Sequence, residues 1–445
     1  MPTLRTESQT AAQLAVEDLR ETWRLLTPEE RFEAFSELER ADAEDFFLDL
    51  PARDQAELLL QISTVQRRSW MRLLPPDDAA DVVQAADTLD REGLLELLDG
   101  PTRSEVMALL AYAEDEAGGL MNPRYARVRP DVSVDEAISY LRKQVREVLE
   151  NVYYVYVIDA DQKLCGVVSL RDLFSAQPGR TIREIMSLEV TAARDDMDQE
   201  ELSRLFAEHD LQAIPVIDAE GHMKGVVTVD DIVDVIQEEA TEDIQKIGGT
   251  AALEAPYLEV SLPQMIKKRV GWLAALFVSE MLTTTAMSRF EAEIARAVVL
   301  AVFVPLIISS GGNSGSQAST LVIRAMALGE VTLRDWWRVM RRELTSGLLM
   351  GGILGVIGFS RVMLWQAIFH SYGHHALLIA STIGTAVVGV VTWGTLSGSM
   401  LPFLLRRVGL DPATASAPFV ATLVDVTGIV IYFSVASLVL RGTLL

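Results

Sequence analysis

Residues 417–428 read APFVATLVDVTG, and how this stretch is read decides the fold. It opens an apolar run from about 417 to 440, with Asp425 near its middle. A carboxylate at bilayer depth costs about 2.5–3.5 kcal/mol on insertion scales, so such acids are rare and face a water-filled path or a polar partner. The residues alone leave two readings open. One is a cation site on a permeation path. The other is an acid bonded to a neighbouring helix, or displaced toward a helix end. Thr422, Thr427 and Gly428 add hydroxyls and room for close backbone approach.

Toward the N-terminus lie four further apolar runs, 270–290, 297–328, 344–369 and 376–404. Most exceed the ~20 residues a helix needs to span a membrane. Five spans are therefore expected over 270–445. The second contains SSGGNSGSQ (309–317), whose glycines and small polar residues predict a break in the helix. Non-helical backbone at that depth is tolerated only against protein or water, and broken helices line binding sites in transporters. Asn313, Ser316 and Thr422 are accordingly path-lining candidates. A second intramembrane acid, Glu280, sits in LFVSEMLTT of the first run. It either lines the same path or bonds a Ser or Thr of a neighbour. His374-His375 reads as a loop.

Charge is split between the two halves. From Pro263 onward there are fourteen Lys/Arg and eight Asp/Glu, a net of +6; the whole chain is −24, so the residues before it carry −30. Such a surface repels nucleic acid and anionic headgroups and attracts cations. Basic clusters at 267–269, 324–342 and 406–407 fall on one side of the five spans, which is expected to be cytosolic. The first residues, MPTLRTESQTAAQ, lack a signal-peptide core, so the N-terminal half is expected in the cytosol and Leu445 outside. The single cysteine, Cys165, leaves no intramolecular disulfide and no thiolate metal cluster.

The acidic half is repetitive. Leu26-Thr27-Pro28, Leu50-Pro51, Leu74-Pro75 and Leu98-Asp99 recur at a constant step of 24, each followed by a charged amphipathic stretch. Proline suits a first helical turn. Residues 1–121 are expected to form a superhelical array of short helices. Asp77 and Asp81 share one helix face at (i, i+4). Over 122–240 a second repeat appears: Val157-Ile158-Asp159 matches Val216-Ile217-Asp218, and 166–173 matches 225–232, both offset by 59. Upstream, 133–141 matches 197–205 at an offset of 64. Each copy reads helix, strand, turn, strand, helix. This resembles a tandem CBS pair, with copies at about 122–182 and 183–240. Such pairs bind adenine nucleotides, metal ions or nothing. From 241 to 269 a connecting helix is expected. Glu238, Glu239, Glu242 and Asp243 crowd it with like charge, which a cation would relieve.

Taken together, the chain resembles an MgtE-type magnesium channel over nearly its full length. The motifs are EDEAGGLMNP (114–123), VTVDDIVDVIQEEATEDIQKIG (227–248), GGNSGSQASTLVIRAMALGE (311–330), MLPFLLRRVGLDP (400–412) and PFVATLVDVTG (418–428). The resemblance implies an all-α superhelical N domain, an α/β CBS pair, a connecting "plug" helix and a five-helix α transmembrane domain. It also implies a homodimer in a bacterial inner membrane, with the pore between the second and fifth spans of the subunits. Asp425, with the backbone of Ala421 one turn earlier, matches the family's pore acid. Because Mg2+ sheds water reluctantly, a facing pair of carboxylates would hold it hydrated. The resemblance further implies intracellular Mg2+ positions at Asp77 and Asp81 facing Asp231 and Asp234, at Asp198, Glu200 and Asp210, and at Glu239, Glu242 and Asp243 with Asp411. These sites would close the pore when cytosolic Mg2+ is abundant. The resemblance assigns no role to Glu280. Two other functions compete: a proton-coupled divalent-cation transporter, and a membrane-anchored CBS sensor. No P-loop, nucleophile motif or HExxH spacing points to an enzyme.

Overall fold

A computed structural model of the chain describes residues 16–147, 152–177, 179–253, 255, 257–258, 260–441 and 443–444. It falls into two compact units divided between Ile236 and Gln237.

The first unit opens with short helices: α1 (Pro28–Glu37), α2 (Arg40–Leu48), α3 (Ala52–Gln61), α4 (Thr64–Met71), α5 (Pro76–Ala85), α6 (Arg91–Leu95) and α7 (Gly100–Leu109). Helices α1, α3, α5 and α7 start at 28, 52, 76 and 100, the step of 24 seen in the sequence. The start signals are physical. Thr27 and Glu30 close a capping box on α1, with proline at the first turn, and Asp99 accepts the Thr102 N–H of α7. Each complete repeat also contains a second helix, α2, α4 or α6, which the Leu-Pro signal does not mark. Trp70 of the second repeat packs tilted against Phe35 and Phe47 of the first, with ring centroids 5.1 Å apart in both pairs. Buried Arg31 is neutralised by Asp54 at 3.3 Å.

After α8 (Ala117–Leu120) come two α/β copies. The first is β1 (Arg127–Val128), α9 (Val134–Glu147), β2 (Tyr154–Ile158), β3 (Leu164–Ser169) and α10 (Leu170–Ser175). The second is β4 (Ala193–Arg194), α11 (Gln199–His209), β5 (Ala213–Ile217), β6 (Met223–Thr228) and α12 (Val229–Ile247). In each sheet the first strand pairs parallel with the second, which pairs antiparallel with the third. The paired strands and the helices after them are offset by 59, as read from the sequence. The preceding helices are offset by 65, one more than the sequence match of 64. The two hairpin turns dock on one another: Leu164 N donates to Gly221 O and Met223 N to Gln162 O. The core of the helical array runs on into the second copy through Leu202, Ile214, Val227 and Ile232.

Among its described residues the second unit holds five helices long and apolar enough to cross a membrane: α13 (Leu262–Arg289), α15 (Val298–Ala327), α16 (Trp336–Phe369), α17 (Ala376–Arg407) and α18 (Ala417–Val439), with the short α14 (Glu291–Arg296) between the first two. The expectation of a connecting helix over 241–269 is modified. The helix is the continuation of α12 and ends at Ile247, and α13 starts only at Leu262. Gly249 makes the turn at φ +75, and a Cβ there would stand 2.7 Å from the Trp272 indole nitrogen, so only glycine fits.

The expected break in the second span is corrected. Helix α15 runs unbroken through 309–317. Its glycines serve close packing instead: a Cβ at Gly315 would lie 2.8 Å from Val420 Cγ1 and 2.9 Å from the Gly394 carbonyl. Gly394 and Gly398 of α17 meet Gly311 and Gly315 of α15, a small-xxx-small crossing in which backbone touches backbone. An intact helix keeps its amides bonded internally, which is what a dry membrane demands.

Candidate functional site

The membrane site is built from α15, α18 and α13. Two hydroxyls of α15 fix the entry of α18. Ser316 Oγ donates to Ala417 O at 3.1 Å, and Ser319 Oγ to Ala415 O at 2.8 Å. Ser416 then caps the helix, accepting from Phe419 N, with Pro418 in the first turn. This places Ala421 and Asp425 one turn apart opposite Gly312. A Cβ on Gly312 would lie 3.4 Å from Ala421 Cβ and 3.8 Å from Asp425 Oδ1. Asp425 is partly exposed, and among the described residues none donates a hydrogen bond to its carboxylate.

The path-lining candidates fare differently. Asn313, next to Gly312, is exposed, and its amide reaches Ser309 Oγ at 3.4 Å. Ser316 is spent on Ala417. Thr422 is buried, and its hydroxyl donates to Pro418 O. Glu280 is exposed on α13, close enough to Asp425 for the two charges to act on one another.

In the first unit the structure brings Asp77 and Asp231 together. Asp77 opens α5 and accepts from Asn122 Nδ2 at 3.0 Å. Asp231 lies in the first turn of α12 and accepts from Thr228 Oγ1 at 2.9 Å. Burial, then Asp78 and Asp231, push the Asp77 carboxyl well above the usual carboxylate range. Burial, with Asp230 and Asp78 adding to it against the Thr228 hydrogen bonds, pushes Asp231 up to about 7. A site that resists holding its own charge favours a counter-cation. Asp81 and Asp234 are exposed on the same two helices.

Asp198, Glu200 and Asp210 are not brought together. Asp198 is the N-cap of α11 and accepts from Glu200 N, Glu200 pairs with Arg204, and Asp210 is the left-handed C-cap at φ 50. Eleven helical residues separate the two ends, roughly 16 Å of rise.

In the second unit Glu239, Glu242 and Asp243 are partly buried. Lys246 ties Glu242 to Asp411: its ammonium contacts Glu242 and reaches Asp411 Oδ2 at 2.7 Å. Burial opposes that charge, but Asp411 and Glu242 outweigh it and hold the ammonium above its usual range. The sequence reading did not include this lysine. The signal was available, since Glu242 and Lys246 stand at (i, i+4).

Sequence reasoning also passed over Asp218, Glu220 and His222, whose ligand atoms lie within 4.8 Å of one another. Asp218 is already engaged by His222 Nδ1 at 2.9 Å and by Lys224 Nζ at 3.1 Å. A carboxylate neutralised this way offers little to a cation.

A family described as "Divalent cation transporter" matches residues 304–435, the "MgtE intracellular N domain" matches 14–115, and the CBS domain matches 117–179 and 182–238. The "Magnesium transporter MgtE" of Thermus thermophilus is 41% identical over 96% of this chain and 93% of its own length. That of Enterococcus faecalis is 34% identical over 76% of this chain and 72% of its own. A solved structure, the cytosolic domain of the Mg2+ channel MgtE in complex with ATP, is 39% identical, covers 52% of this chain and 96% of its own, and has a TM-score of 0.47.

Proposed function

The chain belongs to the MgtE family of magnesium transporters, and from that premise we propose that it is a magnesium channel of the bacterial inner membrane, closed by Mg2+ bound to its acidic domains. The observation that carries the reading is the Asp425 carboxylate. It stands inside an apolar helix, beside Gly312 and Ala421, with no donor among the described residues. An acid left without a partner at that depth needs water or a cation. In a homodimer two such carboxylates would face one another and hold a hydrated ion through its waters, so the size of the hydrated complex would do the selecting. Asn313 sits beside them on α15 and would line the same path.

Closure is a linkage effect. Acids crowded at Asp77–Asp231 and at Glu239, Glu242, Asp243 and Asp411 bind divalent cations better when packed, so bound Mg2+ shifts the population toward the packed, closed form. The N-terminal half is then cytosolic and Leu445 outside. An adenine nucleotide at the CBS pair is a second ligand of this reading, supported by the module alone. Equilibrium dialysis of ATP against the full-length protein tests it, and no saturable binding removes it.

Asp425→Ala in proteoliposomes is expected to abolish Mg2+ uptake while thermal unfolding and elution volume stay those of the parent. Normal uptake would remove the pore assignment. Planar-bilayer recording separates channel from coupled transporter, because ohmic single-channel currents exclude obligate proton coupling.

A further inference from the structure

Glu280 is an acid that neither the repeats nor the family resemblance accounts for. Two ring contacts fix the register of its helix. Trp272 of α13 meets Phe419 of α18 with centroids 6.2 Å apart, and Phe290, just past α13, stacks on Phe433 at 5.1 Å and 17°. The two helices therefore run side by side in the same direction. Glu280 lies eight residues beyond Trp272, roughly 12 Å along the axis, and Asp425 six beyond Phe419, roughly 9 Å. The two acids stand at nearly one level of the membrane.

The surroundings of Glu280 do not explain it as a structural acid. It is exposed, on the flank of the stripe through Leu276 and Thr283 that α13 turns toward the other helices, and no described residue donates to it. Lipid is no environment for such a group. One turn on, Thr283 is only 9% exposed, yet its hydroxyl bonds nothing among the described residues. Nearby Thr285, by contrast, donates to the backbone carbonyl of Met281. A buried hydroxyl that forgoes such a bond is available to a ligand or its water.

We propose that Glu280 is a selectivity-determining residue of the cation path, adding a second carboxylate in each subunit at the level of Asp425, with the Thr283 hydroxyl oxygen one turn beyond to accept from the ion's hydration water. The inference rests on Asp425 lining that path. Its physical content is charge: attraction scales with the product of charges, so a second carboxylate strengthens the hold on a divalent ion by twice as much as on a monovalent one.

The test uses full-length protein in liposomes, with dye-reported Mg2+ influx and K+ flux, for the parent, Glu280→Gln, Glu280→Asp and Asp425→Asn. Glu280→Gln keeps shape and hydrogen bonding and removes only charge. It is expected to raise the half-saturating Mg2+ concentration roughly tenfold and to raise K+ flux relative to Mg2+. Glu280→Asp keeps the charge but withdraws it by one methylene, and is expected to shift half-saturation roughly two- to threefold. Should Glu280→Gln fail to fold, that smaller shift decides. Parental concentration dependence and ion preference in Glu280→Gln, with Asp425→Asn inactive, would overturn the role of Glu280 and leave the pore reading standing. Normal uptake by Asp425→Asn would overturn both.

Discussion

Asp77 and Asp231 hold their charge reluctantly, because burial and mutual repulsion both favour the neutral form. The folded-state pKa of Asp231, about 7, lies above the unfolded value near 3.9, so between them the folded chain binds the extra proton. Stability of the soluble half should therefore fall as pH rises from roughly 4 to 7, by an amount on the order of 4 kcal/mol. Asp231→Asn should flatten that slope and be the more stable protein at pH 8. Thermal unfolding at pH 5 and pH 8, with and without Mg2+, checks this, and Mg2+ should narrow the difference in the parent. At this scale the sequence was uneven evidence. Asp425 stood out as a candidate because a lone acid in an apolar run has few explanations. The soluble acids did not stand out, because a carboxylate placed to sense an ion and one that caps a helix, as Asp198 does, are the same residue type in the same position. Glu280 was visible as an oddity, but its level relative to Asp425 depends on ring contacts that no spacing in one chain encodes.

Helices were legible wherever a start signal or a repeat reported them. Leu-Pro steps marked one helix in each 24-residue repeat, and the copies at an offset of 59 fixed the paired strands of the CBS pair. The second helix of each repeat was missed because α2 and α4 begin without proline or a side-chain cap. The stretch 309–317 was misread for a different reason. Glycine and serine both loosen an isolated helix and let two helices touch, and only the partner decides between the two. Here the partner is α17, whose Gly394 and Gly398 approach α15 at backbone distance. Gly398→Leu should force the crossing apart and cost about 1–3 kcal/mol or more, as overpacking does. Gly352→Ala is the control: nothing lies within 4 Å of a Cβ there, so stability should be unchanged or slightly higher. Melting temperatures of the two purified variants in detergent distinguish these outcomes. Equal losses would mean that glycine flexibility, not contact, matters at both sites.

Across the whole molecule the division of charge carries the most physics. An acidic segment of −30 precedes an apolar segment of +6, so in the proposed reading divalent cations act on the first and permeate the second. Millimolar Mg2+ should slow tryptic cleavage of residues 16–261 severalfold, whereas NaCl of equal ionic strength should not, since screening alone lacks the bridging that two charges on one ion provide. Cleavage at the same rate in both would leave the acidic half a mere solubility device. One contact sets how such an ion would be received. Lys246 already fills the gap between Glu242 and Asp411. A divalent newcomer must evict a tethered rival whose local concentration is fixed by the helix bearing it, not by the cytosol. On the proposed closure by Mg2+, the threshold at which the latch answers would be written into the chain, and a single lysine is where it would be tuned.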